Sequence, residues 1–261
     1  MKFGMPTLVE CGDIYECIDV AKANGLDFVE INMSFPQYLP DAMSIEELRA
    51  VMREKNVFFT VHADEQLNPF DFNKDVSDCY FEVMRKSIRF ALMLDIPVIN
   101  MHLLRGVYVT LPGKVILLTD VYADAYFKRV REFISMCEEE IGDKSLKICI
   151  ENVDTNPFTE SQLSALELFM ESDVFALTLD VGHEICLGMK DSHVFKKYPE
   201  KLFHMHLHDA DGKKPHLALG DGIIDVEEKI KSFGGGTCLV EVKTIEGLEK
   251  SAIYLKEKGY I

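Results

Sequence analysis

Apolar residues recur along this chain in short, nearly unbroken runs. Between the runs lie longer stretches in which they return every three or four positions. The runs are FGMPTLV (3–9), DFVEINM (27–33), VFFTVHA (57–63), PVINMHL (97–103), LKICIEN (146–152), FALTLDV (175–181), LFHMHLH (202–208) and TCLVEVK (237–243). Rich in Val, Ile, Leu and Phe, they read as strands buried on both faces, as in a parallel sheet. The intervening stretches read as amphipathic helices. IYECIDVAKANG (14–25) stops on Asn24-Gly25, a helix-terminating pair. SIEELRAVMREKN (44–56) opens with Ser44 and has Glu47 three residues on, a capping-box pattern. Further helices are predicted over 75–94, 121–141, 159–171, 191–198, 226–233 and 246–258.

Strand and helix thus alternate eight times. A parallel crossover needs a helix between strands, and eight such units close an α/β barrel, the (β/α)8 or TIM barrel, as a single domain over 1–261. An open doubly wound sheet would call for a glycine-rich phosphate loop after the first strand, and neither GxGxxG nor GxxxxGK occurs there. The longest connection, LRGVYVTLPGKVILLTD (104–120), is predicted to form a hairpin around Pro112-Gly113 over the barrel mouth. Its Val, Tyr and Leu side chains are a candidate surface for homo-oligomer formation.

Length and composition fit this picture: 261 residues, 48% hydrophobic and 28% charged. Twenty-eight Lys and Arg against 44 Asp and Glu leave a net charge of −16. That balance disfavours a nucleic-acid partner, because such binding draws on basic side chains displacing counterions. Seven scattered cysteines without a CxxC pair suggest buried thiols in a reducing, cytoplasmic setting. No apolar run is long enough for a membrane span, and the N-terminal run is too short for a signal peptide.

In a barrel of this kind chemistry sits at the C-terminal ends of the strands, and ionisable residues collect there. Glu30 and Asn32, His62, His102, Glu151-Asn152, Asp180 with His183, His206 with His208 and Asp209, and Glu241 with Lys243 all fall at strand ends; His216 follows in a loop. Of eight histidines, only His193 lies clearly elsewhere. Asp180 alone could merely cap the next helix. Jointly, however, Glu151, Asp180 and Glu241 on converging strands would repel one another and lose hydration unless a cation sat between them. A divalent metal supplies that charge, and neutral imidazole from His206 completes a mixed oxygen and nitrogen shell. Three carboxylates and one imidazole suit Mn²⁺ or Mg²⁺ and admit Zn²⁺ or Co²⁺. His62, His102, His183 and His216 could hold further ions, which would favour Zn²⁺, or bind a polyhydroxy substrate. Glu30, His208 and Lys243 are further candidates for the site.

With these residues laid out, the sequence resembles the xylose isomerase-like barrel superfamily along its whole length. The resemblance rests on IEN (150–152), LDVGH (179–183), HLHDADG (206–212), HLALGDGIID (216–225) and VEVK (240–243). The superfamily includes endonuclease IV, sugar epimerases such as tagatose 3-epimerase, and inosose and dehydroshikimate dehydratases. The resemblance implies that Glu151, Asp180, His206 and Glu241 are the shared metal ligands, and that Glu151 and Glu241 are the paired acid and base of a sugar or sugar-phosphate isomerase or epimerase. In the endonuclease IV pattern the positions of His62, His102, His183 and His216 also hold zinc. The chain departs from that pattern at Lys214, where an aspartate is expected, and this weighs against a third ion and against DNA cleavage. Arg105 is the only arginine near a strand end. The same residues would also serve a dehydratase using the same enolate chemistry, or a barrel that only binds a ligand.

Overall fold

The computed structural model describes residues 1–153 and 155–261. In chain order the barrel strands are β1 (Lys2–Pro6), β2 (Phe28–Asn32), β3 (Phe58–His62), β4 (Val98–His102), β7 (Lys147–Glu151), β8 (Phe175–Asp180), β9 (Leu202–Leu207) and β10 (Thr237–Val240). Each pairs in parallel with its sequence neighbour, and β1 pairs with β10, so the sheet closes on itself. Between β4 and β7 lies an antiparallel hairpin of β5 (Tyr108–Leu111) and β6 (Lys114–Leu117). Its turn is Pro112-Gly113, as the sequence predicts, with Gly113 at φ +84°. Val107, Tyr108, Val109, Leu111 and Val115 on it are exposed.

The helices follow the expected alternation: α1 (Ile14–Ala23), α2 (Ile45–Lys55), α3 (Lys74–Met93), α4 (Leu118–Val121), α5 (Ala123–Ile141), α6 (Glu160–Met170), α7 (Val181–Cys186), α8 (Ser192–Lys197), α9 (Val226–Phe233) and α10 (Ile245–Glu257). Most starts are fixed by side chains that accept otherwise unpaired N–H groups. Asp13, Ser44, Asn73, Asp225 and Thr244 do this for α1, α2, α3, α9 and α10. The capping box expected at Ser44 is only half formed. Ser44 Oγ accepts from Glu47 N at 3.3 Å, while the Glu47 carboxylate is taken by the Tyr15 hydroxyl at 3.2 Å. The complete box is Thr159 with Gln162.

The sequence predicts one helix, 191–198, after the sixth strand. The structure has two short ones, because Asp180 starts a helical segment directly at the strand end. The last strand also stops at Val240 rather than Lys243. Outside the barrel, Phe70, Phe133, Phe169 and Phe175 stack between helices and strands with ring centroids 4.7–6.5 Å apart. Inside, Val98, Cys149 and Ala176 form a small separate apolar plug. Cys11, Cys17, Cys137, Cys149 and Cys238 are buried, and Cys79 is exposed. No helix among the described residues is long and apolar enough to cross a membrane.

Candidate metal centre and active site

Side chains alternate between the two faces of a strand, so residues two apart share the barrel interior. On β4 the plug residue Val98 is followed inward by Asn100 and His102. On β7 Cys149 is followed by Glu151, and on β8 Ala176 is followed by Thr178 and Asp180. On β9 His204 and His206 point inward, with His208 just past the strand. The register sets His102 beside Glu151 and Asp180 beside His206. Glu241 follows β10 directly, its N–H bound to Leu207 O at 3.0 Å.

The result is one tight group. His206 Nδ1 stands 3.0 Å from Glu151 Oε1, 2.9 Å from Glu241 Oε2 and 3.9 Å from Asp180 Oδ2. Glu151, Asp180, His206 and Glu241 each offer a ligand atom, all within 4.8 Å of one another. His206 and its three carboxylates are nearly or fully withdrawn from solvent. His206 Nδ1 and Glu241 Oε2, which face each other, are buried without an aligned hydrogen-bond partner, as is His206 Nε2 on the far side of the ring. Buried polar atoms are almost always satisfied, so orphans aimed at a common point fit a divalent ion. The oxygen-rich donor set suits one as well.

His206 and the carboxylates around it shift one another's charge. Burial works against charge on His206, yet Glu151, Glu30 and Glu241 hold its pKa well above the usual histidine value. Burial likewise opposes ionisation of Glu151 and Glu241, yet His206 beside both holds them well below the carboxylate range. Lys243 Nζ, 2.7 Å from Glu241 Oε1, adds to this at Glu241.

A second group borders the first. His62 Nε2 and His102 Nε2 lie 3.4 and 3.3 Å from Glu151 Oε2, with their rings edge to face. His62 Nδ1 is 2.8 Å from Ala63 O. A carbonyl only accepts, so Nδ1 carries the proton and Nε2 meets the carboxylate through a second proton or a cation. Burial lowers the affinity of His62 for that proton, but Glu151 outweighs it and raises the pKa to about 9. The same logic applies to His183, whose Nδ1 faces Asn152 O at 3.2 Å, and to His216, whose Nδ1 faces Glu241 O at 3.2 Å. Each is left with an Nε2 lone pair. Burial pushes His216 down to about 4.

His208 is held differently. The backbone N–H of His216 donates to its Nδ1 at 2.8 Å, so its proton is on Nε2, 3.0 and 3.1 Å from the two oxygens of Asp180. Asp180 also accepts the N–H of His183 at 2.7 Å. It therefore caps α7 and faces the ligand group at once. Gly182 of LDVGH is required by this packing, since a Cβ there would lie 2.0 Å from the His208 ring. His183, His208 and His216 cluster within reach of one ion, but both ring nitrogens of His208 are already engaged. Lys214 contributes no carboxylate to them; its side chain is exposed and lies outside the cavity.

Asn152 of IEN is a latch. Its amide donates to Asp180 O at 2.9 Å and its oxygen accepts from Asp180 N at 2.8 Å, tying β7 to β8. Two further interior residues lie outside the sequence-predicted set. Asn100 donates to Glu151 Oε2 and is fixed by Thr178 Oγ1, which donates to Asn100 Oδ1 at 2.6 Å. His204 lies 3.1 Å from Glu30 Oε2. A signal for His204 is present in the chain: 204, 206 and 208 share one strand face by period two. Glu30 itself, expected at a strand end, lies deeper on β2.

The group opens into a cavity of about 660 Å³, a size that suits a small molecule. Phe35, Leu8, Gln66 and Asn156 are on its wall, and Arg105 and Lys243 are its only arginine and lysine side chains among the described residues.

The chain belongs to the Xylose isomerase-like TIM barrel family, whose pattern it matches over residues 18–258. A solved structure of a D-tagatose 3-epimerase-like protein is 26% identical, with a TM-score of 0.75 covering 98% of this chain and 96% of that one. The IOLI protein, solved with a bound zinc atom, shares the fold at 16% identity, with a TM-score of 0.72 over 99% of this chain and 98% of its own. An uncharacterized protein of Methanocaldococcus jannaschii is 24% identical over 171 residues, 64% of this chain; the match spans 62% of that curated relative's length.

Proposed function

We propose that this chain is a divalent-metal-dependent isomerase or epimerase acting on a sugar or sugar phosphate. The observation that carries the reading is the pairing of Glu151 and Glu241 at 3.0 and 2.9 Å from one atom, His206 Nδ1, on the floor of a sugar-sized cavity. The tagatose 3-epimerase-like neighbour supports it. Glu151, Asp180, His206 and Glu241 would hold the ion, with Mn²⁺ or Zn²⁺ the first choices and Mg²⁺ or Co²⁺ also accommodated. A bound ion would acidify a C–H next to a substrate carbonyl by stabilising the negative charge that develops.

The chain's own residues supply the rest. One of Glu151 and Glu241 takes the proton and the other returns it. Lys243, in contact with Glu241 Oε1, fixes that carboxylate's orientation. Asn100 does the same for Glu151. His183 and His216 present Nε2 acceptors that suit substrate hydroxyls, and Arg105 and Lys243 offer charge for a distal phosphate or carboxylate.

Purified protein loaded with each of the four metals would be incubated with a panel of ketoses and ketose phosphates. Interconversion of at least one pair, abolished in Glu241→Gln, is expected. A second reading rests on the retained His62, His102, His183 and His216, which leave room for an endonuclease IV-like multi-metal site. Nicking of an abasic-site duplex with no turnover of any sugar would select it.

A further inference from the structure

Beneath the ligand group runs a chain of buried side chains, of which Glu30 also borders the cavity. Thr237 Oγ1 lies 2.6 Å from His204 Nδ1, and His204 Nε2 lies 3.1 Å from Glu30 Oε2. Thr60 Oγ1 donates to the same Glu30 oxygen at 2.8 Å. The other oxygen, Glu30 Oε1, stands 3.2 Å from His206 Nε2. Glu30, Thr60, His204 and His206 are at most 1% exposed.

The direction of three protons in this chain, on Thr237, His204 and Thr60, is forced. A carboxylate accepts and does not donate, so His204 must carry its proton on Nε2, and its Nδ1 accepts from the Thr237 hydroxyl. Thr60 donates to Glu30 as well. A carboxylate buried this deeply is costly unless donors converge on it, and His206 Nε2 faces Oε1 at 3.2 Å, out of line for a full hydrogen bond but with no other partner among the described residues. A proton held there leaves the lone pair of His206 on Nδ1, the atom that faces Glu151, Asp180 and Glu241.

We infer that Glu30, itself fixed by Thr60 and the Thr237–His204 pair, is the positioning residue of the metal centre. It holds His206 in the tautomer and ring orientation that point Nδ1 at the ion. Buried carboxylates behind metal-ligating histidines act in this way generally, fixing the ring and raising its basicity. The inference rests on the metal-centre reading above and assigns Glu30 to the ligand rather than to the substrate.

The test is metal affinity, measured by chelator competition with Zn²⁺ and Mn²⁺ on wild type, Glu30→Gln, Glu30→Asp and Thr60→Val. Glu30→Gln keeps the volume but puts an amide N–H against donors, and its affinity is expected to fall about 10- to 100-fold. Glu30→Asp retains the charge but draws it back by one methylene, so it should fall in between. Nitrogen-15 histidine spectra of the Zn²⁺-loaded wild type should place the His206 proton on Nε2. A folded Glu30→Gln with wild-type affinity overturns the inference, as does a proton on His206 Nδ1. If Glu30→Gln does not fold, Thr60→Val decides: a several-fold loss supports the role, and unchanged affinity defeats it. Loss of sugar binding with unchanged metal affinity would make Glu30 a substrate contact and also defeat it. A wild type that binds neither ion refutes the metal-centre reading itself, an outcome distinct from all of these.

Discussion

The Nε2 of His208 lies 3.0 Å from Oδ1 of Asp180. That contact fixes a carboxylate that is both a helix cap and a candidate ligand, and it depends on the ring reaching across Gly182. Gly182→Ala would place a methyl group inside the His208 ring. Overpacking of this kind costs about 1–3 kcal/mol. Thermal melts should show the loss, and metal content should fall with it as Asp180 shifts. A Gly182→Ala protein with wild-type melting and full metal would mean that His208 does not brace Asp180.

Asp180→Asn separates the capping role from the ligand role. Asparagine is as good a helix cap as aspartate, so the fold should persist. Bound metal, assayed by elemental analysis after dialysis, should drop sharply because one of three ligand charges is gone. Full metal content would remove Asp180 from the ligand set.

Stability of the metal-free protein should fall as pH rises from neutral. The folded pKa of His62 is raised to about 9 by Glu151 against the opposing effect of burial, while its unfolded value is about 6.5. A raised pKa stabilises the fold fully below the unfolded value, and that contribution is lost as pH climbs through the folded one. Melts in EDTA should therefore decline between about pH 6.5 and about 9. Saturating metal should flatten the decline, since bound ligands are deprotonated. A metal-free melting temperature that rises across this window would contradict the placement of His62.

The Thr159–Gln162 capping box starts α6 next to the cavity wall. Thr159→Ala should cost about 1 kcal/mol in denaturant unfolding without altering metal affinity. A loss of affinity would show that α6 is coupled to the centre.

Much of the barrel was legible in the chain because strands buried on both faces leave unbroken apolar runs, and these eight do. What the pattern missed was local. Asp180 caps α7 at the strand end, as its residue type allows, but no apolar period announces so short a helix. The Ser44 box is half replaced because Tyr15, 32 residues away from Glu47 in sequence, takes the carboxylate. In the site, strand-end position pointed to Glu151, Asp180, His206 and Glu241, and the fold brings their ligand atoms together. Depth was not legible. Glu30 reads as a strand-end residue in sequence and His204 is not singled out there, yet barrel closure sets both beneath the ligand group, 3.1 Å from each other. Lys214 looked decisive in sequence, but its side chain is exposed outside the cavity. The missing carboxylate at that position bears on the third ion more than the lysine charge does.

The most direct test of the proposed chemistry is deuterium incorporation. Metal-loaded protein would be incubated with a ketose that it binds in heavy water, and the sugar followed by NMR at each carbon. The expected result is exchange at one C–H next to the carbonyl, abolished in Glu151→Gln and Glu241→Gln while both variants keep measurable metal. No exchange at any carbon of a bound sugar, with metal in place, would contradict proton transfer by these two glutamates.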